Sequence, residues 1–279
     1  MKTLFLAPRL ILSFMLILNA CATPGTVPST TSVPLPEPSP TQISITVTPV
    51  ESALAQGNPT AAPLDDLIAS HTVMFDTPDG ARIAGELYGS GKTAVVFSVM
   101  GNCKPGWREF ARLTAAQGLM AFTYQWRDCG PSGPTNESEI RQNFVNDARG
   151  AINFVRSQGA EKLILAGASL GGLASAKLAI ESGASGLIVL ASPLEIPQWD
   201  FRIEAAELNT GIPKLFLIAE NDHVVSFDAS RSLYELATEP KEWQTYPGTA
   251  HGTDLFDTNI GDEIQQRILE FILAVGPAK

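Results

Sequence analysis

The chain of 279 residues is short of cysteine, histidine and basic side chains, and each shortage narrows what it can be. Three cysteines are too few for a disulfide scaffold. Three histidines leave little choice wherever an imidazole is needed. Lys and Arg number 19 against 29 Asp and Glu, a formal charge of −10, and no basic run interrupts the acidic excess. A protein that binds phosphate backbones needs a basic face to release counterions, so a nucleic-acid partner is excluded. The acidic surface speaks for solubility. Long apolar runs are also scarce. The N-terminal one, Leu10–Leu18, is shorter than the ~20 residues of a membrane-spanning helix.

That run follows Lys2 and Arg9 and precedes small residues, the pattern of a cleaved export signal over residues 1–20. Leu18-Asn19-Ala20-Cys21 resembles the lipobox of bacterial lipoproteins, which implies that Cys21 carries lipid and starts the mature chain. The resemblance implies an extracytoplasmic, membrane-anchored location. Residues 21–64 are dominated by Thr, Pro, Ser and small side chains, including Pro34-Leu35-Pro36-Glu37-Pro38-Ser39-Pro40. Such a segment cannot bury enough apolar surface to offset its ordering entropy. It reads as a semi-rigid tether. Residues 65–279 remain for one domain with a substantial core.

Within that domain, strand-like and helix-like patterns alternate. Thr72–Asp76 and Arg82–Tyr88 flank Pro78-Asp79-Gly80 as a hairpin. Thr93–Val99 is a continuous apolar run, the mark of a strand covered on both faces. Leu119–Tyr124, Lys162–Ala166, Leu187–Ala191, Lys214–Ala219 and Glu242–Tyr246 are further strands. Helical spacing joins Trp107 to Thr114, Phe144 to Val155 and Ile264 to Val275. Leu170–Ile180 and a segment capped by Ser226 read as two more helices, and His71 is placed ahead of the first strand. The alternation predicts an α/β fold: a mostly parallel twisted sheet, helices on both faces and an antiparallel hairpin at one edge.

The chemistry is carried by Gly167-Ala168-Ser169-Leu170-Gly171, a Gly-x-Ser-x-Gly set between a buried strand and a helix. There the chain must turn sharply and raise the Ser169 hydroxyl into solvent. Gly167 and Gly171 are required where side chains would collide with the turn or a neighbouring strand. A hydroxyl needs a base to become a nucleophile. Of the histidines, His71 lies far from the carboxyl ends of the strands and His223 opens an acid-bearing loop. His251 sits in the loop Pro247–Gly252, between the last strand and the last helix. Its orienting carboxylate is assigned to Asp222, after the strand Lys214–Ala219, with Glu220, Asp228, Asp254, Glu195 and Asp200 as rivals. A metal site of Asp222, His223, His251 and Asp254 lacks the tight spacing of metal motifs. Neither metal nor cofactor is expected.

The order Ser, Asp, His over successive strand ends resembles the α/β-hydrolase family, and the resemblance covers the whole folded domain. It implies the α/β-hydrolase fold, a triad of Ser169, Asp222 and His251, and an oxyanion hole of two backbone N–H groups. One donor maps onto Leu170. The other maps onto Asn102 in Met100-Gly101-Asn102-Cys103, where family members often carry His-Gly. A further echo is Trp126-Arg127-Asp128-Cys129-Gly130-Pro131-Ser132-Gly133, a loop that the family places beside the oxyanion loop. On that resemblance Cys103 and Cys129 come close enough for a disulfide. The activity implied is hydrolysis of an ester, thioester or amide in a small-molecule acyl substrate. An acyltransferase, or a non-catalytic binding protein on the same fold, is the alternative. The segment between Leu190 and Lys214 is short, so any lid is small.

Overall fold

A computed structural model describes residues 69–134 and 140–276. The expected signal at 1–20, Cys21 and the tether at 21–64 lie outside the described residues.

Strands β1 (Ser70–Asp76) and β2 (Arg82–Tyr88) pair antiparallel around the predicted turn, with Asp76 opposite Arg82. Gly80 takes φ +85° there, a conformation that disfavours other residues. The remaining strands of the main sheet are β3 (Thr93–Ser98), β4 (Met120–Tyr124), β5 (Lys162–Ala168), β6 (Gly186–Leu190), β9 (Lys214–Ala219) and β10 (Lys241–Tyr246). Their spatial order is β1-β2-β4-β3-β5-β6-β9-β10. From β4 onward all neighbours are parallel. The chain steps from β3 outward to β4 and returns to β5 on the other side of β3. That reversal creates a crevice at the carboxyl ends of β3 and β5, the place where open α/β sheets bind ligands. His71 departs from its expected place: it lies within β1, exposed and opposite Leu87, on the outer edge strand that β2 and β4 separate from β3 and the crevice.

Successive strand residues face opposite sides, and β3 shows what each side holds. Phe97 packs on Trp107 and on Phe110 of α1 (Arg108–Ala115). Next to it, Ser98 turns to the other face, where Ser175 of α3 (Leu170–Leu178) donates to its hydroxyl at 3.3 Å. Helix α2 (Ile140–Ser157) packs on α3. Helix α6 (Gly261–Val275) closes the α1 face, where the Thr93 hydroxyl donates to the Gly276 carbonyl. Helix α5 (Phe227–Leu236) is capped by Ser226, whose hydroxyl accepts from the Ala229 N–H as its sequence position predicts. Between β6 and β9 lies a flap: a two-residue ladder of β7 (Glu195–Ile196) and β8 (Phe201–Arg202), then α4 (Ala205–Leu208).

One buried ionic cluster ties the sheet edge together. Arg127, after β4, is buried and reaches both the hairpin turn and α2. Its guanidinium donates to Asp147 at 2.7 and 2.8 Å, to Asp79 at 2.8 and 3.0 Å and to Asn143 at 2.8 Å. The hydrogen bonds from Arg127 hold the Asp79 carboxyl well below the usual carboxylate range. A depressed folded pKa adds stability above the unfolded value, near 3.8, and loses it as pH falls. Asp79→Asn is therefore expected to lower the urea midpoint at pH 7, with the gap to wild type narrowing below about pH 4. An equal gap at pH 7 and pH 3 would show that the charge of Asp79 contributes nothing.

Cys103 and Cys129 form a disulfide, with Cα atoms 5.4 Å apart and a sequence separation of 26. Closing a loop of that size is worth about 3 kcal/mol. Cys103→Ser/Cys129→Ser is expected to lower Tm by about 5–10 °C for a domain of this length. Thiol titration of denatured, unreduced protein checks the bridge itself. Reactive thiols at both positions would remove it.

Candidate active site

Three sharp backbone events build the site. The first is the turn from β5 into α3, where Ser169 adopts φ 53°, ψ −120°. A side-chain-bearing residue there costs on the order of 1–3 kcal/mol and persists only when its surroundings enforce it. The enforcement is visible. The Ser169 N–H donates to Leu190 O at 2.9 Å, and the buried Ser192 hydroxyl donates to Ser169 O at 2.7 Å. A Cβ at Gly167 would lie 2.1 Å from Gly171 O, and one at Gly171 would lie 2.2 Å from Ser98 O. A Cβ at Gly172 would lie 1.9 Å from the Ser192 oxygen. Both glycines expected from the motif are thus sterically required. Gly172 and Ser192 are additions that neither pattern nor spacing announces.

The second event follows β9 and β10. Asp222 Oδ1 accepts the N–H groups of Val224 at 2.8 Å and Val225 at 2.9 Å, a local turn that locks the carboxylate. The side chain is fully buried. His251 Nδ1 lies 2.9 Å from Asp222 Oδ2 and 3.0 Å from Oδ1. A carboxylate can only accept, so Nδ1 carries the proton and Nε2 is left as the basic atom. His223 lies edge-on to His251, ring centroids 6.4 Å apart, with its Nδ1 2.6 Å from Thr249 O. Of the five rival acids, Asp254 pairs with Lys104, Glu195 with Arg202 and Asp200 with Arg141, Asp228 lies in the first turn of α5, and Glu220 is exposed.

The third is the loop after β3. A Cβ at Gly101 would approach Leu170 Cδ2 to 3.3 Å, so the loop carrying Asn102 passes beside the first residue of α3. The Trp126 indole N–H donates to Val99 O at 3.2 Å and Met100 O at 3.1 Å, and the disulfide joins Cys103 to Cys129. On its far side the same loop meets the His251 loop: Lys104 pairs with Asp254, and Gly106 abuts Thr253. Gly252 sits where all three events meet. A Cβ there would fall 2.4 Å from the Met100 sulfur and 3.5 Å from Ala168 Cβ.

Ser169 opens onto a cleft of about 440 Å³ between the flap and the Asp222 loop. Pro193, Ile196 and Trp199 line the flap side, with Val224, Val225 and Ala229 opposite. Val224 stands well exposed at the mouth. The short flap agrees with the brief segment in the sequence, and its Trp199 packs on Phe144 of α2. Among the described residues no cluster of three His, Cys, Asp or Glu side chains has the geometry to hold a metal.

No family model matches the chain. Its curated relatives include the uncharacterized protein YfhR of Escherichia coli K12, 24% identical over 236 residues, spanning 74% of this chain and 81% of that one. The YfhR protein of Salmonella typhi is 25% identical over 250 residues, spanning 75% and 84%. Among solved structures, the esterase Pf2001 of Pyrococcus furiosus superimposes with a TM-score of 0.61 at 14% identity, over 79% of this chain and 97% of its own. XC6422 of Xanthomonas campestris, described as a serine hydrolase without lid, gives 0.60 at 18% identity, over 75% and 96%. With the strand order above, these likenesses establish the architecture: the chain has the α/β-hydrolase fold.

Proposed function

We propose that the protein is a serine hydrolase that cleaves an ester, thioester or amide through an acyl-enzyme on Ser169. The observation that carries this is the contact between His251 and the buried, backbone-locked Asp222, made at the carboxyl edge that also bears the strained Ser169. In this reading the Ser169 hydroxyl attacks the acyl carbonyl as His251 Nε2 takes its proton. Asp222 holds the imidazole in the useful tautomer and stabilises the imidazolium that forms. Negative charge on the carbonyl oxygen is met by the backbone N–H groups of Leu170 and Asn102, each worth ~3 kcal/mol of barrier. The imidazolium returns its proton to the leaving group, and water repeats the sequence to free the acid.

The cleft supports a neutral, apolar acyl group. Its walls are Pro193, Ile196, Trp199, Val224 and Val225, and the charged side chain lining it is Glu195, already paired with Arg202. A fluorophosphonate probe is expected to label the wild type, with labelling lost in Ser169→Ala and kcat lowered about 10⁴-fold in Asp222→Asn. In an ester panel, butyryl and hexanoyl esters should exceed the succinyl half-ester in kcat/KM. A folded wild type that resists the probe and turns over no acyl substrate would make this a binding protein instead.

We also propose that the protein is exported and held at a membrane by lipid on Cys21. The Cys103–Cys129 bridge supports export, because disulfides persist in oxidising compartments. Expressed with its leader, the wild type should fractionate with membranes and Cys21→Ser should not. Equal fractionation of the two refutes the anchor.

A further inference from the structure

We infer that Trp126 and Cys129 are positioning residues that hold the Asn102 amide in place as an oxyanion donor by gripping its loop on both sides. The inference rests on the acyl-transfer reading above.

The loop from Val99 to Pro105 has no regular structure, and residues 101–105 are exposed. A free amide in such a segment samples many directions, and fixing one costs ordering entropy at the moment charge develops. An oxyanion donor lowers the barrier only when it is already aimed. Two contacts supply that aim. The Trp126 indole N–H is shared between the carbonyls of Val99 and Met100, just before the donor. The disulfide to Cys129 seizes Cys103, just after it, where the backbone takes φ 60°. Only Gly101 and Asn102 lie between the anchors.

Both anchors come from one turn. The Cys129 N–H donates to Trp126 O at 3.0 Å, so the indole and the sulfur are held at a set separation. That turn is itself fastened. Between its two grips, Arg127 bonds Asp147, Asn143 and Asp79, which roots the turn in α2 and the hairpin. The Trp126 ring stacks edge-on between Tyr124 and Phe144, with centroids 5.1 Å from each. Aromatic packing orients the indole, and the N–H does the gripping. The two contributions are separable by substitution.

Trp126→Phe keeps the stacked ring and removes the N–H. Cys103→Ser/Cys129→Ser removes the bridge. In full-length protein whose wild type labels with a fluorophosphonate, kcat and KM for p-nitrophenyl butyrate are measured with Tm. Inhibition by a trifluoromethyl ketone, whose adduct carries an oxyanion, is measured alongside. Each variant is expected to lose about tenfold or more in kcat with KM within about threefold. Their combination should approach the about 10²–10³-fold loss of a whole donor, and inhibition by the ketone should weaken in parallel. Folded variants that keep wild-type kcat and ketone affinity overturn the inference while leaving the acyl-transfer reading intact. If the cysteine variant does not fold, Trp126→Phe decides by the same criterion. A wild type that resists the probe removes both proposals.

Discussion

The backbone of α3 begins so close to β3 that no side chain fits between them, and the rest of the site depends on this contact. A methyl group at Gly171 would overlap the Ser98 carbonyl, and one at Gly167 would overlap Gly171 itself. With α3 pressed against the sheet, the chain leaving β5 cannot enter the helix through ordinary dihedrals. Ser169 takes up the difference at positive φ. The strain therefore comes from sheet–helix packing, and a bond to Leu190 at the end of β6 and one from Ser192 just beyond it hold it in place. The raised serine and the neighbouring Leu170 amide both follow from a distance set by missing side chains.

Around that point the fold supplies rigidity from an unusual direction. The outer strands end in a turn whose buried Arg127 is bound by carboxylates from the hairpin and from α2. A buried ion pair is a poor source of net stability, because desolvation offsets attraction. Its value here is geometric. It fixes a turn that would otherwise be a glycine-rich surface loop, and that turn then carries the indole and the sulfur reaching the loop after β3. The path from hairpin to candidate oxyanion loop is a chain of contacts, each with identifiable donor and acceptor.

Much of this was legible in the residues. A continuous apolar run marked β3 as a strand covered on both faces, and it is buried throughout. Gly167 and Gly171 were expected to be sterically required, and their contacts explain why. Asp222 was favoured over five rival acids from its place after the strand Lys214–Ala219 and from the family resemblance, and its carboxylate lies against the His251 imidazole. What stayed hidden shares a physical character. Arg127 and Ser192 are polar residues whose burial is satisfied by partners far away in sequence, Asp79 and Asn143 for the first and Ser169 for the second. A one-dimensional pattern carries no trace of such partners. The β7–β8 ladder was likewise invisible, because two residues per strand are too few to show alternation. The strand pattern begins at Thr72, whereas β1 starts two residues earlier at Ser70 and takes in His71, since an edge strand tolerates polar residues on its exposed side.

The spacing of acid and base has its own cause. Strands β9 and β10 pair in parallel with Ala219 opposite Tyr246. Beyond those residues the two loops continue to bond: Glu220 N–H to Tyr246 O, Asn221 N–H to Gly248 O, and His223 N–H to Thr249 O. The ladder thus runs past the formal strand ends and delivers Asp222 and His251 to the same level above the sheet. Sheet register is specified by the burial of alternating side chains, since a slip of one residue would turn every side chain of β10 to the wrong face. The register that buries the core is therefore also the register that brings the Asp222 carboxylate to the His251 imidazole. A slip of the β9–β10 pairing would therefore break the packing of β10 and the Asp222–His251 contact together.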